Sequence, residues 1–276
     1  MQLYSNGFKM VRSIKLYKSF DIKNHHKKSI ILIGNFDGLH SGHQKLFKLA
    51  NKYKKKFYSK TGVLTFEPMP KMFFNPNLKN FRLSNLSQKI ENLEKLNVDF
   101  VITKKFNLGF SKTKSIIFIR ETLGKKLRPK FIFVSNNFRF GNKREGNVTE
   151  LIKYEKFHKY KIIKPQPLKI KKKIISSTLI RKFLQNGKLN KVNKLLKRNW
   201  SIDGKVQKGR QLGKKIGFPT ANIDIKDYIL PKLGVYAVKV KKIKNSNYMK
   251  GIANLGYRPT FNGKKILLEV HLFNFS

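Results

Sequence analysis

Short continuous apolar runs, each closed by turn residues, alternate with segments of helical period along the first two thirds of the chain. Ile30-Ile31-Leu32-Ile33 is such a run, β-branched and of strand length, and Gly34 closes it. From Gly42 onward His43, Leu46, Phe47, Leu49 and Ala50 carry helical spacing. Gly62-Val63-Leu64-Thr65-Phe66 predicts a second buried strand, and Glu67-Pro68-Met69-Pro70 ends it as a loop of the kind that carries ligands at the C-terminal edge of open α/β sheets. Phe81 to Leu96 predicts an amphipathic helix, apolar at Leu83, Leu86, Ile90, Leu93 and Leu96, with Ser84 or Ser87 as its cap. Asp99-Phe100-Val101-Ile102 and Phe131-Ile132-Phe133-Val134 read as strands, Ser111 to Leu123 and Leu184 to Lys197 as helices. This alternation is that of a doubly wound parallel sheet. After Asn199-Trp200-Ser201-Ile202 the helical period disappears, and Gly204, Gly209, Gly213 and Gly217 punctuate short strands, which predicts a small β-barrel. The expected organisation is α/β: a parallel-sheet domain over residues 11–198 and a β-barrel over 199–276. Met1 to Lys9 shows no period and is expected to be a frayed extension, with Met10 an alternative start, and Lys52 to Lys60 is expected to be solvated.

Composition restricts the functional classes. The chain has 276 residues, 40% of them hydrophobic and 23 of them Phe, enough to fill cores and to set disorder aside. With 62 Lys and Arg against 14 Asp and Glu it carries a formal charge of +48, which draws any polyanion. A basic nucleic-acid-binding protein on a nucleotide-binding scaffold is therefore one reading. The lysines, however, are spread along the whole chain, with no zinc finger, RNA-binding signature or basic arm, so no nucleic-acid partner is expected. Zero cysteines exclude disulfides, no apolar run approaches the ~20 residues of a membrane span, and the basic start lacks an apolar core of signal-peptide length. The cytoplasm is the expected compartment, and no membrane partner is expected.

The chemistry concentrates in Gly34-Asn35-Phe36-Asp37-Gly38-Leu39-His40-Ser41-Gly42-His43. The glycines permit a tight turn and close backbone approach, and His40 and His43 fall at the opening of a helix, whose free N–H groups and positive dipole end suit a phosphate. Two imidazoles three residues apart can serve one phosphoryl group as charge develops. Zinc binding is the rival reading, but it wants three or four ligands and the chain has no cysteine and only four other histidines. Further along, Ile175-Ser176-Ser177-Thr178-Leu179-Ile180-Arg181 places hydroxyls and N–H groups at a helix start with an arginine one turn in. That arrangement suits a triphosphate or departing pyrophosphate, although Ser176 or Ser177 can equally be a helix cap.

Strand, Gly-Asn-Phe-Asp-Gly turn and His-x-Gly-His together resemble the signature of nucleotidyltransferases. Ser135-Asn136-Asn137-Phe138-Arg139-Phe140-Gly141 resembles the Gly-x-Asp/Asn-Phe-x-Phe-Gly segment of the bacterial bifunctional riboflavin kinase/FAD synthetase family, with Ser135 in place of the usual glycine and Asn137 at the Asp/Asn position. Ile-Ser-Ser-Thr-x-Ile-Arg is similar to that family's second adenylylation motif. In the predicted barrel, Gly209-Arg210-Gln211-Leu212-Gly213-Lys214-Lys215-Ile216-Gly217-Phe218-Pro219-Thr220-Ala221-Asn222 and Asn254-Leu255-Gly256-Tyr257-Arg258-Pro259-Thr260-Phe261 resemble its kinase module. The resemblance runs from about Val11 to the last residue.

The resemblance implies two reactions: ATP phosphorylates riboflavin to FMN, and the FMN phosphate attacks a second ATP to give FAD and pyrophosphate. It implies that Thr220 and Asn222 hold Mg2+ with ATP, that Gly209, Gly217, Phe218 and Pro219 frame the kinase nucleotide site, and that Glu269 is the base acting on the ribityl hydroxyl. His40 and His43 would act on the α-phosphate, with Gly34, Asn35, Phe36, Asp37, Gly38, Asn137, Ser176, Ser177, Thr178 and Arg181 holding the adenylyl donor. Phe66, Phe140, Asn254 and Arg258 are the implied flavin contacts, with core packing the alternative for the two phenylalanines. Relatives continue for a further strand and a helical segment, whereas this chain stops at Ser276, so the expectation includes a truncated barrel and, as an alternative, an enzyme that only adenylylates FMN.

Overall fold

The computed structural model describes residues 14–171, 173–207, 219–225, 227–242, 247–260 and 263–274. The expectations for Met1 to Met10 and for Gly209, Gly213, Gly217 and Phe218 lie outside these residues. The N-terminal part is a six-stranded, all-parallel sheet of β1 (Lys15–Tyr17), β2 (Ile30–Ile33), β3 (Thr61–Glu67), β4 (Phe100–Lys105), β5 (Phe131–Phe133) and β6 (Lys161–Ile163), in the order β1-β4-β3-β2-β5-β6.

The continuous apolar run of β2 is explained by its central place. Ile31 and Ile33 pack into the core on one face, Ile30 and Leu32 into the core on the other, and all four are buried. Each such side chain is worth about 1.5–3 kcal/mol of burial. From β2 the chain winds one way through β3 and β4, then crosses to the other side to make β5, so the end of β2 is where strand order reverses. Open α/β sheets bind ligands at that point, and the Gly34–His43 motif begins there. The edge strands β1 and β6 are short and basic, and no apolar run predicts them.

Four helices matter for the site: α1 (Ser41–Lys56), α2 (Leu86–Glu94), α3 (Ser177–Gln185) and α4 (Leu189–Leu196). Three of the predicted helices have shifted limits. The amphipathic segment starts at Leu86 rather than Phe81, and its cap is Asn85. The Asn85 side chain accepts from Gln88 N at 2.8 Å while the Gln88 side chain accepts from Asn85 N at 3.0 Å, a reciprocal capping box that neither Ser84 nor Ser87 supplies. The helix expected over Ser111 to Leu123 runs from Ser115 to Leu127, with π winding from Phe118, and the Glu145 carboxylate accepts Ser115 N at 2.6 Å at its start. The single helix expected over Leu184 to Lys197 is the end of α3 and all of α4, divided at Gly187, whose φ of +69° is costly for other residues.

The C-terminal part is an antiparallel sheet of β7 (Val206–Gln207), β8 (Thr220–Ile223), β9 (Gly234–Val240), β10 (Met249–Thr260) and β11 (Gly263–Leu272), in the order β7-β8-β11-β10-β9. The segment just after β8 returns to the N-terminal part. Phe81 N and Arg82 N donate to Asp227 O at 2.8 and 2.6 Å, Ile229 N donates to Arg82 O at 2.8 Å, and Tyr228 Oη donates to Gln88 Oε1 at 2.9 Å. Ile229 joins Leu83, Ile180 and Leu196 in one small core, and Trp200 Nε1 caps it by donating to Leu83 O at 2.8 Å. The strip Phe81–Ser84 thus lies between the C-terminal part on one side and the motif loop on the other.

Candidate active site

The motif loop is held from beneath rather than open on all sides. Asp37 is buried, and its carboxylate accepts Leu83 N at 3.1 Å and Ser84 N at 3.3 Å and pairs with Arg181 Nη2 at 2.5 Å. Arg181 also donates from Nε to Phe81 O at 2.8 Å, and its guanidinium lies 3.6 Å from the Phe81 ring centre. The main chain is gripped as well: Ser84 Oγ accepts Gly38 N at 3.3 Å, Arg198 donates to Gly38 O at 2.8 Å, and Ser177 Oγ donates to Asp37 O at 2.9 Å. Gly38 has φ +76°, and a Cβ there would meet Leu83 Cδ1 at 2.8 Å, so no other residue fits without displacement. Asp37, Ser177 and Arg181 therefore join the two sequence motifs to each other, while Ser176 caps α3 by accepting Leu179 N at 3.2 Å and Thr178 is exposed.

Above this foundation the N-termini of α1 and α3 come together. The Ile175 carbonyl lies against Gly42, at 3.4 Å from where a Cβ would stand. His40 is the N-cap of α1, with Nδ1 accepting His43 N at 3.4 Å, and the two rings stack with centroids 3.7 Å apart. An acceptor at Nδ1 leaves the ring proton on Nε2, so a neutral His40 presents a donor. Both rings are held neutral. Burial, aided by the Arg181 charge, pushes His40 down to about 4. Burial, then His40 and Lys89, hold His43 well below the ordinary imidazole range. His43 Nδ1 is buried with no hydrogen-bond partner, and its ring also meets Phe36 edge-on at 5.2 Å.

This pair fixes a pH dependence. The folded value of His40, about 4, lies below its unfolded value near 6.5, so the unfolded chain takes the proton first. Stability is complete above pH 6.5 and is lost as pH falls towards 4, by roughly 3 kcal/mol for His40 alone. Urea unfolding at pH 7.5 and 4.5 measures it, and equal midpoints would contradict the buried neutral pair.

The C-terminal ends of β3 and β4 carry an aromatic group. Phe66 stacks on Phe110 at 5.7 Å, and Phe106 touches Phe66, Phe73, Phe74 and Phe110 at 5.3–6.0 Å, while Phe74 is 66% exposed. Only Phe66 of these is marked by the motifs, although the Phe73-Phe74 doublet and a Phe immediately after a strand are visible in the sequence. Phe140 is buried against Phe118, with the half-buried Phe138 stacked on it at 5.5 Å, and Asn137 beside them is exposed. Sequence reasoning also missed a buried charge group behind the motif. Glu67 receives Arg82 at 2.8 Å and Lys89 at 3.2 Å. Burial pushes its carboxyl up, but the Arg82 hydrogen bond and the Lys89 and Arg82 charges outweigh this and hold it below the usual range.

In the C-terminal sheet the register places Asn222, Glu269 and Asn254 side by side on three neighbouring strands, with Thr220 opposite His271 two residues along. Direct antiparallel partners share a face with Cβ atoms about 4.5–5.5 Å apart, so these polar residues form one row, and Ala221, Val270 and Ala253 alternate to the other face. Asn222 is 8% exposed and its Oδ1 is buried without a partner, the state of an oxygen placed for a cation or a donor. His271 Nδ1 lies 2.9 Å from Pro219 O. The Arg258 side chain lies outside the described residues.

Comparison with known proteins agrees with both halves. Residues 22–179 match the family described as FAD synthetase and residues 196–276 the one described as riboflavin kinase. The chain belongs to the bifunctional riboflavin kinase/FMN adenylyltransferase family. A member from Buchnera aphidicola subsp. Schizaphis graminum is 41% identical over 97% of this chain and 85% of its own length. The Haemophilus influenzae member is 40% identical over 89% and 80%, and the Escherichia coli K12 member 36% over 89% and 78%. The crystal structure of a protein described as a macrolide-efflux protein from Streptococcus pneumoniae matches with TM-score 0.81 and 28% identity over 96% of this chain and 86% of that one. Among the described residues no helix is long and apolar enough to cross a membrane. As in the rest of this bifunctional family, both modules are present in one chain, and kinase and adenylyltransferase activities both imply ATP as substrate.

Proposed function

We propose that the chain makes FAD from riboflavin in two steps at two separate places, riboflavin phosphorylation in residues 199–276 and FMN adenylylation in residues 11–198. The observation that carries the second assignment is the stacked, neutral His40–His43 pair where the N-termini of α1 and α3 meet. There the FMN phosphate oxygen attacks the α-phosphorus of ATP, the bond to the β-phosphate breaks, and pyrophosphate leaves. His40 and His43 donate to the α-phosphate oxygens as charge builds, and the α3 N-terminus with Ser176 and Thr178 receives the departing phosphates. Gly34 to Gly38 and Asn137 border the adenylyl donor. Asp37 and Arg181 act by holding this loop. Phe66 and its aromatic neighbours offer a stacking face for the isoalloxazine, and Phe140 supports it through Phe138.

In the C-terminal sheet Glu269 takes the proton of the ribityl hydroxyl as it attacks the γ-phosphate of ATP, with Asn254 and Arg258 on the flavin side. Thr220 and Asn222 offer hard oxygens that fit Mg2+ held with the ATP phosphates, and the orphaned Asn222 Oδ1 supports that choice. The bound ion supplies charge neutralisation at the phosphates. Gly209, Gly217, Phe218 and Pro219 complete the nucleotide border. The cytoplasm, where riboflavin and ATP meet, is the proposed compartment. Incubating the purified chain with MgATP and either riboflavin or FMN, and resolving products by chromatography, tests the proposal. FAD is expected from both, and folded protein that yields FAD from neither contradicts it.

A further inference from the structure

Lys89 is among the most deeply buried side chains of the protein, 1% exposed, on the inner face of α2. A methionine or leucine would fill the same space without the cost of removing an ammonium from water. Among the described residues its carboxylate partner is Glu67, which it shares with Arg82, so two cations converge on one carboxylate. Lys89 Nζ also lies 3.5 Å from Thr65 Oγ1, and the fully buried Thr65 hydroxyl donates in turn to Asn35 O at 3.4 Å. The donors run in one sense, from ammonium to hydroxyl to the carbonyl of the motif turn.

We propose that Lys89 is a positioning residue for adenylyl transfer: it holds the Asn35 turn through Thr65 and places a fixed, solvent-shielded positive charge behind the histidine pair, where a polyphosphate anion gathers charge. The inference rests on the placement of adenylyl transfer at His40 and His43. The rings that touch His43 are those of Phe36 and His40, and the cationic side chains whose charge acts on the pair are Lys89 from α2 on His43 and Arg181 from α3 on His40. Lys89 is thus the charged neighbour contributed to His43 by a separate element, and its field opposes protonation of that ring.

The experiment compares wild type, Lys89→Met and Thr65→Val in single-turnover FAD formation from FMN and MgATP, with 15N-histidine NMR titration of each. Lys89→Met is expected to slow the turnover by about 10- to 100-fold and to move the His43 midpoint upward. Thr65→Val is expected to slow it less and to leave that midpoint in place, and both variants keep a urea midpoint close to that of wild type and the dispersed histidine signals of the N-terminal sheet domain, which shows that this part folds. An unchanged rate in Lys89→Met overturns the proposal. So does a slowed rate with an unmoved His43 midpoint, because packing alone would then account for the loss. Absence of FAD with the wild type would instead refute the underlying assignment of the site.

Discussion

Asp37→Ala is expected to remove about 3–5 kcal/mol of folding stability and to abolish FAD formation from FMN. The loss follows from what the carboxylate holds. It is 3% exposed, it satisfies Leu83 N and Ser84 N, and it neutralises an arginine that is itself largely buried. Without it Arg181 is a buried charge with no counter-ion, and two backbone donors lose their acceptor. Against a typical total of about 5–15 kcal/mol, such a loss leaves the chain near the edge of folding. Urea denaturation measures the first effect and product chromatography the second. Asp37→Asn, which keeps the shape and the acceptor oxygen, should fall between wild type and alanine. A variant with Asp37→Ala that unfolds at the wild-type midpoint would show that the buried Asp37–Arg181 pair does not hold the motif loop to the strip Phe81–Ser84.

His43→Ala is expected to act on the chemistry with little effect on folding. Removing one positioned donor from a developing oxyanion typically costs about 10²–10³ in rate. Because His43 Nδ1 already lacks a partner, truncation strands no other group. FAD formation from FMN is expected to fall by that factor while riboflavin phosphorylation continues at the wild-type rate. His40→Ala should lose activity similarly but also lose stability, since His40 caps α1 and its removal exposes the first turn. If His43→Ala made FAD at the wild-type rate, the stacked pair would not be the site of adenylyl transfer.

The parallel sheet was legible because its central strands are buried on both faces. Ile30 to Ile33 and Phe131 to Val134 have nowhere polar to turn, so their apolar runs are continuous. Lys15–Tyr17 and Lys161–Ile163, edge strands with one wet side, gave no such signal. The α2 cap was misread because Ser84 and Asn85 are both good caps, and only the fold shows that the Ser84 hydroxyl serves Gly38 N instead. The site residues were legible as a set but not in their contacts. Serine, serine and arginine at a helix start read as an anion cradle, whereas Ser177 and Arg181 point to the Asp37 segment 140 and more residues away in sequence, a pairing that no local pattern encodes. Lys89 was invisible for the same reason. In the sequence it is one basic residue among 62, and its meaning comes from Thr65 and Glu67 on a neighbouring strand.

Mixing two inactive halves measures the central claim most directly. Glu269→Gln is expected to make FAD from FMN but nothing from riboflavin, and His43→Ala to stop at FMN. Combined in one tube with riboflavin and MgATP, the two variants should restore FAD, because FMN released by one chain is adenylylated by the other. If the mixture makes no more FAD than either variant alone, or if Glu269→Gln still phosphorylates riboflavin at the wild-type rate, the assignment of the two reactions to these two places is wrong.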